Sequence, residues 1–250
     1  MSDDPKPPPR RSADSEITVD GRASAASDPG KRLFVGIRLA VGTANALAAA
    51  AGTVARRAQG GSADLRWVPP VNYHLTLRFL GWTREASIPA VQDALVAAAR
   101  GTPRMTLKVA RLGAFPSLDQ ASVLWAGVEE GGTLAALAHR IELAMVGIGY
   151  AAEPRTFHPH VTIARLRETR PIRDLVLPVT EQMFGDTRVD AISLIESETK
   201  SSGSAYRDVA RIGFESVISG AERQTRAVHQ DPADDTDDGW PRGQGPNAAS

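Results

Sequence analysis

The sequence predicts an α+β protein of two pseudo-symmetric lobes, each an antiparallel sheet with helices on the outside. Helix-prone segments interrupt pairs of strand-prone segments, and several neighbouring strands are close enough to form hairpins. That pattern favours antiparallel sheet over a doubly wound parallel fold. One strand pattern occurs twice, as His74-Leu75-Thr76-Leu77 and His160-Val161-Thr162-Ile163, 86 positions apart. Each half of the chain thus holds strands, helices and one copy of this pattern.

Taken in order, Leu33 to Leu39 is a short apolar strand, and the Ala-rich run from Ala44 to Arg57 is a helix ended by Gly60-Gly61. Leu65 to Val68 is extended, and Pro69-Pro70 turns the chain. The first motif strand follows, Tyr73 to Leu80, with Gly81 expected to stop it. Ile88 to Arg100 reads as a helix with Val91, Leu95 and Val96 on its apolar side. Met105 to Leu112 alternates as a strand, broken by the segment Gly113 to Ser117. Ser122 to Val128 is a strand, Gly131-Gly132 a turn, and Leu134 to Ile148 a helix. The second motif strand spans Phe157 to Leu166, and Pro171 to Leu177 reads as a short helix. Val189 to Glu196 and Ala205 to Phe214 are late strands around a Ser- and Gly-rich turn at Lys200 to Ser204.

Composition divides the chain into three parts. Residues 1–30 contain Pro7-Pro8-Pro9, much Ser and Ala, and few large apolar groups; residues 221–250 contain an acidic run from Asp231 to Asp238. Such segments bury too little to offset ordering entropy, so both ends are expected to be disordered tails around a folded domain at 31–220. The formal net charge is zero. Residues 31–220 nevertheless carry 22 Lys and Arg against 17 Asp and Glu, and the two tails carry 7 against 12. A mildly basic domain suits an anionic ligand, yet lacks the strong charge of a protein that coats nucleic acid.

The chain has no cysteine, which excludes disulfides and Cys-based zinc sites. The first 30 residues lack the apolar core of a secretory leader, and no long apolar run occurs. The expectation is a cytoplasmic protein with no membrane association and no obligate protein partner.

The two motifs carry the chemistry. Side chains alternate across a strand, so His74 and Thr76 share one face while Leu75 and Leu77 line the other; His160, Thr162, Val161 and Ile163 follow suit. Two such strands can bring two imidazoles and two hydroxyls to one place. Imidazole titrates near neutrality, so one ring can act as base and the other as acid. Hydrolysis of a phosphodiester needs both: one ring takes a proton from attacking water and the other supplies one to the departing oxygen. Thr hydroxyls can donate to the non-bridging oxygens. The alternative is that both histidines are structural groups bonded to nearby backbone.

His74-Leu75-Thr76-Leu77-Arg78-Phe79-Leu80-Gly81 and Phe157-His158-Pro159-His160-Val161-Thr162-Ile163-Ala164-Arg165 closely resemble the two signatures of the 2H phosphoesterases, in particular the RNA 2′,3′-cyclic phosphodiesterases, also called 2′-5′ RNA ligases. Flanking stretches fit as well: Arg32-Leu33-Phe34, Arg66-Trp67-Val68, Phe115-Pro116-Ser117, Val123-Leu124-Trp125, Ile192 to Ser197, and Tyr206. The resemblance covers roughly residues 31–216. It implies a bilobal fold with the motif strands facing each other across an active-site cleft. It also implies cofactor-free, metal-independent opening of a 2′,3′-cyclic phosphate on an RNA end to a 2′-phosphomonoester. Carried over by position, His74 is the proton donor to the 3′ oxygen, His160 the base that activates water, and Thr76 and Thr162 the phosphate holders. The opening strand reads Phe34-Val35 where such proteins often have two aromatics, which puts a base-stacking role for this strand in doubt.

Neighbouring residues stay open. By alternation Arg78 joins the face of His74 and is a candidate contact for the phosphate or next nucleotide, or else a solvated strand residue. Arg165 falls on the face opposite His160 and reaches the site only if the strand bulges there. Tyr206 and Phe157 are candidate stacking partners for a base, or packing residues. His158-Pro159-His160 has the look of a metal pair, but no third ligand is evident. His139 and His229 read as surface residues. Other substrates within the resemblance are small cyclic nucleotides such as ADP-ribose 1″,2″-cyclic phosphate, or 2′-5′ RNA joints made by ligation. A reading from another class is a catalytically silent nucleotide-binding module.

Overall fold

The computed structural model describes residues 29–58, 65–200 and 203–214. Residues 1–28 of the expected N-terminal tail, the whole expected C-terminal tail with His229, the Gly60-Gly61 helix stop and the centre of the Lys200–Ser204 turn lie outside the described residues, while Gly30, expected in the tail, opens the first strand. Among the described residues the order is β1 (Gly30–Arg38), α1 (Val41–Arg57), β2 (Leu65–Trp67), β3 (His74–Arg84), α2 (Ile88–Ala99), β4 (Met105–Phe115), β5 (Ala121–Glu129), α3 (Thr133–Gly147), β6 (His160–Arg170), α4 (Arg173–Val176), β7 (Met183–Val189), β8 (Ala191–Lys200) and β9 (Gly203–Gly213).

The fold is α+β with antiparallel strands throughout. Two four-stranded sets, β7-β4-β5-β6 and β3-β1-β8-β9, meet where β6 and β3 pair at Leu75 and Val161 alone, and β2 lies on β6. Each set is one lobe, with a motif strand as its innermost member. The halves of the chain interleave: β8 and β9 come last in sequence, yet β8 returns to the first lobe and pairs with β1.

One face of the sheets packs on helices. In α1 the buried residues Thr43, Leu47, Ala50, Ala51 and Val54 follow the helical repeat. Leu134, Leu137, Ile141 and Met145 do the same in α3, and they join Leu75 and Ile163 in one core. Each such aliphatic side chain contributes about 1.5–3 kcal/mol on burial. α1 lies on β7 and α4; α2 and α3 pack together, with α2 on β9 and α3 on β3. The helices therefore cover the Leu75 and Val161 face and leave the His and Thr face open. No helix among the described residues is long and apolar enough to cross a membrane.

β7 is absent from the sequence reading. Gly185 and Asp186 interrupt its apolar run, and it forms because β4 offers it a ladder from Met105–Val189 to Ala110–Met183. Thr43 Oγ1 also donates to Asp186 O at 2.7 Å, which ties the start of α1 to this strand. Two glycines expected as breakers sit inside strands. Gly81 adopts φ +70° and lets β3 continue to Arg84. Gly113 leaves room for an indole, since a Cβ there would fall 2.2 Å from the Trp125 ring.

Candidate active site

Leu75 stands opposite Val161 in an antiparallel pair. The residues on either side of them alternate to the open face, so His74 is set towards Thr162 and Thr76 towards His160. The two histidines occupy opposite corners of a quadrilateral, with the threonines at the other two. All four side chains are partly exposed.

Both imidazoles are anchored identically. His74 Nδ1 lies 2.6 Å from Asn72 O, and His160 Nδ1 lies 2.6 Å from His158 O. A carbonyl accepts only, so each Nδ1 carries the hydrogen and each Nε2 is left for chemistry. Aromatic rings brace both from the side. Tyr206 meets His74 edge-on at 5.0 Å, and Phe115 meets His160 edge-on at 5.0 Å. Phe34 lies 4.7 Å from His74, and Trp125 lies 6.3 Å from His160. Phe34, only 3 % exposed, is a wall behind His74 rather than a free stacking surface.

Both rings are held below the ordinary imidazole pKa. Burial is the largest influence on His74 and brings its pKa down to about 4; the bond to Asn72 O works against this, and the charges of Arg38, His160 and Arg165 add to it. His160 is also lowered, chiefly by burial, with the bond to His158 O opposing and Arg165 and His158 adding.

Strict alternation fails in both motif strands, at the same place. On β3, Thr76 pairs with Gly36 and Arg78 with Val35, which leaves Leu77 as an extra residue. On β6, Thr162 pairs with Trp125 and Ala164 with Leu124, which leaves Ile163 extra. Each is a bulge immediately after the motif threonine, and it turns the following residues over. Gly36 accommodates the first, because a Cβ there would sit 2.9 Å from Leu75 O.

The bulges reverse the expected places of the two arginines. Arg78 does not share the face of His74: it is 8 % exposed and lies on the helix side, away from the open face where a substrate contact was expected of it. Its Nε stands 2.5 Å from Glu142 Oε2, an ionic contact off the N–H direction; its Nη1 is 3.7 Å from Glu153 and donates to Phe79 O at 3.0 Å, and its Nη2 donates to Ala151 O. Arg165 turns to the open face, where its charge bears on both histidines. Phe79 occupies the corresponding place on β3, is half exposed and lies 6.0 Å from Phe34. Sequence alternation missed Phe79, and the repeat of the bulge is the signal that finds it.

A cavity of about 340 Å³ opens beside His160, lined by Phe115, Trp125, His158, Glu129, Arg111 and Glu181 among others. His158 contributes its backbone to His160 and its ring to this wall, 6.3 Å from Phe115. Phe157 is partly buried against the core. His139 is exposed on α3. Among the described residues no group of three His, Cys, Asp or Glu is arranged to hold a metal.

Solved structures share this architecture. The Thermus thermophilus protein TT0787 is 26 % identical, with a TM-score of 0.62 over 73 % of this chain and 97 % of that one. Escherichia coli LigT, in its complex with 3′-AMP, is 24 % identical, with a TM-score of 0.56 over 75 % of this chain and 100 % of that one, a likeness of fold. A family model described as the 2′-5′ RNA ligase superfamily matches residues 44–201, and the chain belongs to that superfamily of 2H phosphoesterases. Among curated relatives, proteins named RNA 2′,3′-cyclic phosphodiesterase from Aeropyrum pernix and Aquifex aeolicus are 31 % and 33 % identical. The matches cover 59 % and 56 % of this chain and 85 % and 77 % of those proteins.

Proposed function

We propose that the protein hydrolyses the 2′,3′-cyclic phosphate at an RNA 3′ end to a 2′-phosphomonoester, by general acid–base catalysis between His74 and His160. The observation that carries this reading is the matched pair of Nδ1 anchors, which leaves two Nε2 atoms on one open face with a Thr hydroxyl beside each. The names of the curated relatives support the substrate class.

In this mechanism neutral His160 takes a proton from water as its oxygen attacks phosphorus. The bond from phosphorus to O3′ breaks on the far side, and protonated His74 gives its proton to O3′. Phosphate remains on O2′, and the two rings exchange protons through solvent before the next turnover. Thr76 and Thr162 donate to the non-bridging oxygens, where charge develops. Burial disfavours a charged His74, but a phosphodiester anion set between the hydroxyls favours it, so the acid form belongs to the bound state. Arg165 adds positive charge on the same face, and Tyr206 borders the sugar side.

The test is an assay of the whole chain, with EDTA present, on an oligoribonucleotide ending in a 2′,3′-cyclic phosphate. A 2′-phosphate end is expected. A 3′-phosphate end would overturn the assignment of His74 as donor to O3′, and tight nucleotide binding with no turnover would replace the enzyme reading.

A further inference from the structure

The in-line course of that reaction gives the cleft a direction. Water attacks on the His160 side and O3′ departs on the His74 side, so the ribose and the chain upstream of it lie over the lobe of His74. A second cavity, of about 150 Å³, lies on this lobe, with Arg38, Arg188, Arg211, Asp190, Asp208 and Ser193 among its lining residues. Arg38 is the register partner of His74, so the cavity begins one strand away from the acid. It draws on β1, β8 and β9 of this lobe and, through Arg188 and Val189, on the end of β7, which leads from the other lobe into β8.

Two of the three guanidinium groups are fixed in place. Arg38 donates from Nε and Nη2 to Asp208 Oδ1 at 2.9 and 2.6 Å, and Arg211 donates from Nη2 to Asp190 Oδ1 at 2.6 Å. A guanidinium has five N–H groups, so these pairings hold the forks while leaving donors for another anion. Arg188 brings a third cation against only two carboxylates, and the lining keeps an excess of positive charge. A cluster of planar donors with net positive charge, in a space of this size, matches a phosphate group.

We propose that this cavity is a phosphate subsite that holds the phosphodiester immediately upstream of the cyclic end. The proposal rests on the reading of the previous subsection, and it makes an RNA end a better substrate than a cyclic mononucleotide. The ligand chemistry is that of an internal phosphodiester in a single strand.

The experiment compares 2′,3′-cyclic AMP, which has no upstream phosphate, with the dinucleotide ApA ending in a 2′,3′-cyclic phosphate. The variants are Arg188→Ala with Arg211→Ala, and Arg104→Ala as an exposed charge elsewhere. The double variant is expected to lose about tenfold in kcat/KM on the dinucleotide and nothing on the mononucleotide. Equal loss on both substrates, no loss on either, or the same loss from Arg104→Ala would overturn the subsite. Calorimetric binding of the products, 2′-AMP and 2′-phosphorylated ApA, reads the same contrast without turnover. If the wild-type protein opens neither substrate, the proposed function fails, and calorimetry still decides the subsite: weaker binding of the dinucleotide alone supports it, and unchanged binding overturns it.

Discussion

Arg78 and Ala164 hold equivalent places in the two motif strands, two residues beyond each threonine and just past each bulge, and both are buried. Ala164 simply packs. Arg78 places a charge where its counterpart has a methyl group, and Glu142, Glu153 and two carbonyls are gathered round it. Removing one partner of a buried pair leaves the other uncompensated, although both glutamates keep some solvent. Arg78→Ala is therefore expected to destabilise the protein by about 2–3 kcal/mol in urea unfolding. An unchanged midpoint would show that the network contributes nothing.

Either histidine should be indispensable to turnover. His74→Ala or His160→Ala is expected to lower kcat by about 10²–10⁴-fold. Because the two rings act as a unit, the double variant should fall little below the worse single one. Full additivity of the two losses would argue against a shared step.

The pH behaviour follows from burial. The pKa of His74 is about 4 in the folded protein and near 6.5 in an unfolded chain, so the unfolded state binds more protons between these values. Stability is unaffected by this group above pH 6.5 and declines as pH falls towards 4, by on the order of 3 kcal/mol in full. His74→Ala should flatten that decline in urea titrations across the window. In the proposed mechanism kcat/KM reports the free, depressed rings and peaks on the acid side of 6.5. kcat reports the anion-bound rings and peaks higher. Coincident optima would contradict the shift on binding.

Arg165 lowers the pKa of both rings. Arg165→Ala should move both upwards in an NMR titration of the histidines. It should also raise KM for an anionic substrate more than it lowers kcat. Unmoved imidazole titrations would place the guanidinium away from the site in solution.

The trench between Gly113 and Trp125 is tested by Gly113→Ala. A methyl group 2.2 Å from the indole must displace it from the wall beside His160. A loss of about 1–3 kcal/mol in stability is expected, with a changed near-UV signal from Trp125. Wild-type stability and spectrum would show that the indole has room to spare.

Much of this architecture was legible because physical patterns are explicit in the residues. His74, Thr76, Leu75 and Leu77 alternate as a strand with one polar and one apolar face, and their echo at 160–163 predicts two lobes. Alternation fails at Leu77 and Ile163, where a bulge depends on the partner strand rather than on local spacing. That is why the burial of Arg78 and the place of Phe79 were not foreseen, while Arg165 was tied to a bulge that the fold contains. β7 escaped notice because its ladder with β4 outweighs an interior Gly185. The carbonyls of Asn72 and His158 could not be read at all: every residue has one, and only the fold aims it.

The interleaving of the chain constrains how the protein is made. β1 is among the first described segments, yet one of its edges is satisfied only by β8, as with Lys31 and Glu196, which pair across 165 positions. A nascent chain that has emerged only as far as β7 carries β1 with that edge still bare, a template for wrong pairing. The lobe that bears His74 is completed only when nearly all of the described chain has left the ribosome. The first-made half of the catalytic pair is thus the last to be enclosed.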